Sequence, residues 1–117
     1  MIIYPMLNRS VLLVIPKQPF YDWSNALFPD MEPTLLSDVD EYNSYLLEDE
    51  LFIDNPKKEL KKYWKKIFVN ELYGQCLDEN TFPNLSWKLF VEWFDFHRSS
   101  VVSDLVKDPL FAFDYDE

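Results

Sequence analysis

One glycine, one cysteine and one histidine in 117 residues remove more chemistry than any motif in this chain adds. With Gly74 alone, no glycine-rich loop exists to cradle phosphates, which excludes the common nucleotide-binding folds. The same scarcity removes the glycine that a calcium loop needs for its sharp turn, and the glycine-flanked serine elbow of α/β hydrolases. Turns must therefore be built from the eight prolines and from Asn, Asp and Ser. Cys76 has no partner for an intrachain disulfide and cannot form a structural zinc site of the usual type. No window reaches the roughly 20 apolar residues of a membrane-spanning helix. The short run Val11–Ile15 follows a single Arg9 and lacks both the length and the cleavage site of a signal peptide. These absences lead us to expect a protein of the reducing cytoplasm.

What is present is a core and a charge pattern. Apolar residues make up 48% of the chain and aromatics 18%, enough for one packed domain over residues 1–117. The net charge of −10 opposes nucleic-acid phosphates and anionic membranes, so neither is an expected partner. That average hides a segregation. Lys57, Lys58, Lys61, Lys62, Lys65 and Lys66 are six of the eleven basic residues, whereas the segment Asp30–Asp54 holds nine acids and no base.

Residues 1–9 read as a terminal arm. Ser10–Ile15 is a continuous aliphatic run closed by Pro16, the pattern of a central strand or of one covered on both faces. Pro19 suits a first helical turn, and Phe20, Trp23 and Leu27 then mark one apolar face of a helix over 19–28. The string Pro16-Lys17-Gln18-Pro19-Phe20, with its preceding strand and Trp23, resembles the start of a family of small uncharacterised bacterial proteins. Leu89-Phe90-x-x-Trp93-Phe94 and Val101-x-x-Asp104-Leu105 extend the similarity over most of the chain. The resemblance implies a compact α+β unit and carries no activity, cofactor or site residue.

Further along, Thr34 is placed to cap a helical turn over Leu35–Val39. Alternation over Tyr42–Leu47 favours a strand, with a helix over 34–47 as the rival reading. Asp54 or Asn55 caps a long helix that has Pro56 in its first turn and runs to Gly74–Leu77. Leu60, Tyr63, Trp64, Ile67, Phe68 and Leu72 lie along its apolar side and the lysines along the other. The spacing of Trp87, Phe90, Val91 and Phe94 predicts a helix over 86–94 capped by Ser86. A strand over 96–106 follows, with an acidic, aromatic tail over 108–117 that adds an edge strand or frays.

The candidate sites are few. The six lysines form a docking face for an acidic protein segment or a phosphate-bearing ligand, against the plainer reading of a solvated helix face. Asp38, Asp40, Glu41, Glu48, Asp49, Glu50 and Asp54 favour solubility over calcium binding, because their spacing matches no calcium loop. Asp95, His97 and Ser99 would share one strand face, yet neighbours there sit about 6.5–7 Å apart, too far for a nucleophile and its base. Trp23, Trp93 and His97 are candidates for an aromatic pocket, though tryptophans at helical spacing are more often core. Trp64 and at least one of Trp87 and Trp93 are expected to be buried, and Cys76 to be a small buried hydrophobe. No catalytic residue, metal ligand or cofactor is indicated.

The sequence thus predicts one α+β domain in the order β-α-β-α-α-β, with a mainly antiparallel sheet of three or four strands under one long and two short helices. The function expected of it is a non-catalytic interaction or regulatory module that binds a protein partner through its acidic and lysine-rich surfaces. The alternatives are a small ligand-binding domain or enzyme with an aromatic pocket, and a DNA-mimicking inhibitor.

Overall fold

The computed structural model describes residues 6–48 and 56–113, without the side chains of residues 56 and 57. Among the described residues three strands and three helices follow one another in the order β-α-β-α-α-β, and the architecture is α+β as the sequence predicts. β1 (Arg9–Pro16) is the central strand. It pairs antiparallel with β2 (Asn43–Glu48) on one side and β3 (Phe94–Ser99) on the other, so that Leu12 lies between Tyr45 and Arg98. Ser10, Leu12, Val14 and Pro16 are buried, while Val11, Leu13 and Ile15 are only partly so. The central position therefore explains the continuous aliphatic run, and no second layer of helices is needed to do so.

α1 (Gln18–Leu27), α2 (Pro56–Tyr73) and α3 (Trp87–Trp93) all contribute to the core on the Leu12 and Val14 side of the sheet. Phe20 and Tyr21 come from α1, Leu60, Ile67, Phe68 and Leu72 from α2, and Phe90 from α3. α3 is short, and its start is fixed by Ser86, whose Oγ accepts a hydrogen bond from the Leu89 amide at 3.0 Å. The chain leaves α3 straight into β3, because Phe94 is already extended at φ −135° and ψ 143°. That change of period brings Phe94 and Phe96 both against Phe90 in tilted ring contacts, with Phe90 and Phe96 ring centroids 4.9 Å apart.

Several expectations need correction. α2 stops at Tyr73, four residues short of Leu77, where the amides of Gly74 and Cys76 bond back to the carbonyls of Asn70 and Leu72. The Asp54 or Asn55 cap lies outside the described residues. β3 ends at Ser99 and not at Val106, because its ladder with β1 runs out at the Val11–Ser99 pair. Contact resumes only at an isolated Met6–Ser103 bridge, one residue out of register, beside a 2.7 Å bond from the Leu7 amide to the Val102 carbonyl. Residues 34–47 form no continuous helix: a single 3₁₀ turn (Leu36–Asp38) precedes β2. Thr34 does not cap that turn. Its amide and carbonyl are both held by the side chain of Asn25. Residues 108–113 of the tail form no strand, and Phe111 and Phe113 are exposed; residues 114–117 lie outside the described part.

No described residue has a positive φ, Gly74 included. Turns are closed instead by side-chain acceptors: Asp78 Oδ1 takes the Asn80 amide, Ser99 Oγ the Val101 amide and Asp104 Oδ1 the Val106 amide. A chain built this way needs almost no glycine.

Candidate functional site

Three stretches far apart in sequence line a groove of about 720 Å³ among the described residues. Leu12, Leu60, Phe94 and Phe96 form its apolar floor, with Trp87 and Val91 of α3 beside them, and Lys58, Lys61 and Arg98 supply its charge. The Lys61 Nζ stands 5.3 Å from the centroid of the Trp87 ring, a cation–π distance. Arg98 points from β3 toward the first turn of α2, where its Nε lies 3.1 Å from Oε2 of Glu59. Glu59 is only 8% exposed, so Arg98 is committed to it, while Lys58 and Lys61 stay exposed and free to meet solvent or a ligand. Asp95 also borders the groove and is drawn to Lys17 at 3.8 Å.

The five described lysines of the six proposed from the sequence are divided between two flanks of α2. Lys58, Lys61 and Lys65 step along one flank of α2, and the first two reach the groove. Lys62 and Lys66 lie on the other flank, where Lys62 meets Glu48 at 3.5 Å and Lys66 borders a smaller hollow with Tyr63 and Ile67. The Lys62–Glu48 contact is the internal acid–lysine neutralisation that the plainer reading of this helix anticipates. The side chain of Lys57 lies outside the described residues, as do Asp49, Glu50 and Asp54 of the acidic segment. Asp38, Asp40, Glu41 and Glu48 are exposed.

Trp23 and Trp93 meet each other but not His97. Trp23 and Trp93 pack on each other at 6.1 Å and on Phe20, with the Trp23 Nε1 donating to the Thr81 carbonyl at 3.0 Å. His97 stands opposite Leu13 on the other face of the sheet, exposed beside Asp95 and Ser99. The aromatic wall of the groove is Trp87 with Phe96 instead. All four tryptophans are partly buried against the core, so Trp64, Trp87 and Trp93 are less enclosed than the sequence suggested, and Cys76 too is half-buried.

Sequence reasoning missed two buried acids. Glu59 and Glu71 lie on the inner side of α2, at the ends of the four-residue series Glu59, Tyr63, Ile67, Glu71. Glu71 is 4% exposed, and its Oε2 accepts from Asn43 Nδ2 and from the Tyr45 hydroxyl, both at 2.5 Å. Burial pushes the Glu71 carboxyl up from its ordinary value, and those two hydrogen bonds oppose the rise without cancelling it. Tyr45 is pushed up as well, by burial first and then by its bond to Glu71. The available signal was position: both acids fall on the apolar stripe and not among the lysines.

Among the described residues no group of three or more His, Cys, Asp and Glu side chains could hold a metal ion, and no helix is long and apolar enough to cross a membrane. No family model, curated protein or solved structure matches the chain.

Proposed function

We propose that the chain is a non-catalytic protein-interaction module of the cytoplasm that seats an acidic, aromatic-bearing segment of a partner protein in the groove between α2, α3 and β3. The observation that carries this reading is the pairing of an apolar floor with Lys58 and Lys61 on its rim. A partner segment would place an aromatic or aliphatic anchor over Phe96, Leu60 and Trp87 and its carboxylates beside the two lysines. Burial of the anchor supplies most of the affinity, and the lysines set orientation and salt dependence. On a chain of net charge −10 the local basic rim also confines an acidic segment to this groove, because the rest of the surface repels it.

A second reading has its own support: 720 Å³ falls within the range of small-molecule sites, so an apolar carboxylate of metabolite size suits the same groove. Panning a random peptide display library against the purified protein tests the first reading. Recovered peptides should combine an aromatic residue with two or more acids and should lose binding to the Lys58→Glu/Lys61→Glu variant. Peptides without acids, or binding undiminished by the reversal, would refute it.

A further inference from the structure

A second, polar hollow lies on the opposite part of the core and uses none of the groove residues. It measures 370 Å³ and is bordered by Tyr21 of α1, Glu41 and Tyr42 before β2, Asn43 at the start of β2, and Glu71 and Gln75 around the end of α2. Among the described residues no lysine or arginine lines it. We propose that this hollow is a binding site for an alkylammonium or guanidinium cation, held by Glu71 and Glu41 against the rings of Tyr21 and Tyr42.

Glu71 is the reason. Its carboxylate is almost fully enclosed, and among the described residues it receives neutral donors alone, Asn43 Nδ2 and the Tyr45 hydroxyl, both on Oε2. A buried carboxylate whose charge meets no cation is costly, and a charged ligand in the adjoining space removes that cost. Its field is also felt by the neighbouring ring: burial, then Tyr42 and Glu71, push the Tyr21 hydroxyl up. The remaining polar groups are already oriented. The Gln75 Oε1 accepts from the Ser24 hydroxyl at 2.8 Å, and the Tyr42 hydroxyl leans 3.5 Å from the Val39 carbonyl. Glu41 is exposed at the mouth and adds a second negative charge.

The lining favours an organic cation over a bare metal ion. A calcium ion takes six to eight oxygens, whereas this hollow offers two carboxylates set among aromatic rings. Tyrosine faces attract ammonium and guanidinium groups, and a carboxylate takes their N–H donors in charge-assisted hydrogen bonds. The shared chemistry fits either a free amine or guanidine, or the Lys or Arg side chain of a peptide.

Gly74 borders the hollow and is the sole glycine of the chain, so its amide resonance gives an unambiguous probe in a ¹H–¹⁵N correlation spectrum. Titration with butylammonium, butylguanidinium and a blocked tripeptide with a central lysine or arginine should shift that resonance saturably, and butanol should not. A small cation that outperforms the peptides identifies a free amine or guanidine as the ligand; tighter binding of a peptide identifies a basic protein segment. Glu71→Gln should weaken binding roughly tenfold or more, Glu41→Gln less, and Lys58→Glu not at all. Absence of a saturable shift with every cation, an equal response to butanol, or binding unchanged in Glu41→Gln and Glu71→Gln alike overturns the proposal. Glu41→Gln, at an exposed position, keeps the test decisive if Glu71→Gln fails to fold.

Discussion

Replacing Phe90 with alanine should be among the most destabilising single changes in this chain. The ring is 0% exposed and stands at the meeting point of α2, α3 and β3. Its centroid lies 5.6 Å from Phe68, 5.4 Å from Phe94, 4.9 Å from Phe96, 6.1 Å from Trp64 and 6.0 Å from Trp87. Truncation of a buried phenylalanine costs about 3–5 kcal/mol, the transfer of the lost ring plus the hole it leaves. Five ring neighbours argue for the upper half of that range, because none of them can turn into the gap without breaking contact with another. At roughly 0.25 kcal/mol per degree of unfolding entropy for a chain this long, the melting temperature should fall by about 15–20 °C. Calorimetry or far-ultraviolet circular dichroism measures this directly, with Phe111→Ala as the control. Phe111 is 76% exposed and should change stability by no more than about 0.5 kcal/mol. A Phe90→Ala protein within about 1 kcal/mol of the parent would mean that α3 does not pack on this sheet.

Two further changes test particular contacts. Ser86→Ala removes the acceptor of the Leu89 amide and should cost about 1 kcal/mol in denaturant unfolding, a loss that Ser86→Asp should restore. Glu71 has a consequence for pH. The folded chain holds its proton more tightly than the unfolded chain does, so its contribution is complete below the ordinary value of 4.5 and is lost as pH rises through the elevated folded value. Glu71→Gln should therefore gain stability relative to the parent as the pH is raised above 4.5, measured by urea unfolding across that range; an unchanged difference at every pH would contradict the burial of this charge.

The elements that were legible in the sequence are those with a local physical cause. β1 announces itself by its aliphatic run, α2 by Pro56 and its apolar stripe, and α3 by Ser86 three residues before Leu89. Element ends were less legible because they depend on partners: β3 stops where β1 ceases to pair with it. The groove could not be read at all. Its wall brings together Leu12, Leu60, Trp87 and Phe96, which only the finished sheet and helices place side by side. Glu59 and Glu71 were hidden for a different reason. Glutamate on a lysine-rich helix is normally solvated, and only tertiary neighbours, Arg98 for one and Asn43 with Tyr45 for the other, make these two inward-facing.

The position of β1 at the centre of the sheet has a consequence for how the chain is made. Its first neighbour, β2, is synthesised within about 30 residues, so a two-stranded ribbon can form early. Its second neighbour is β3, which begins at Phe94, nearly 80 residues after β1 ends at Pro16. At a ribosomal rate of about 5–20 residues per second, one edge of this aliphatic strand waits roughly 4–16 seconds for its partner. During that interval Val11 to Ile15 presents an unpaired backbone edge, the kind of surface on which chains join one another. Slower translation between residues 16 and 94 should therefore reduce the yield of folded protein, even though it leaves every contact of the final structure intact.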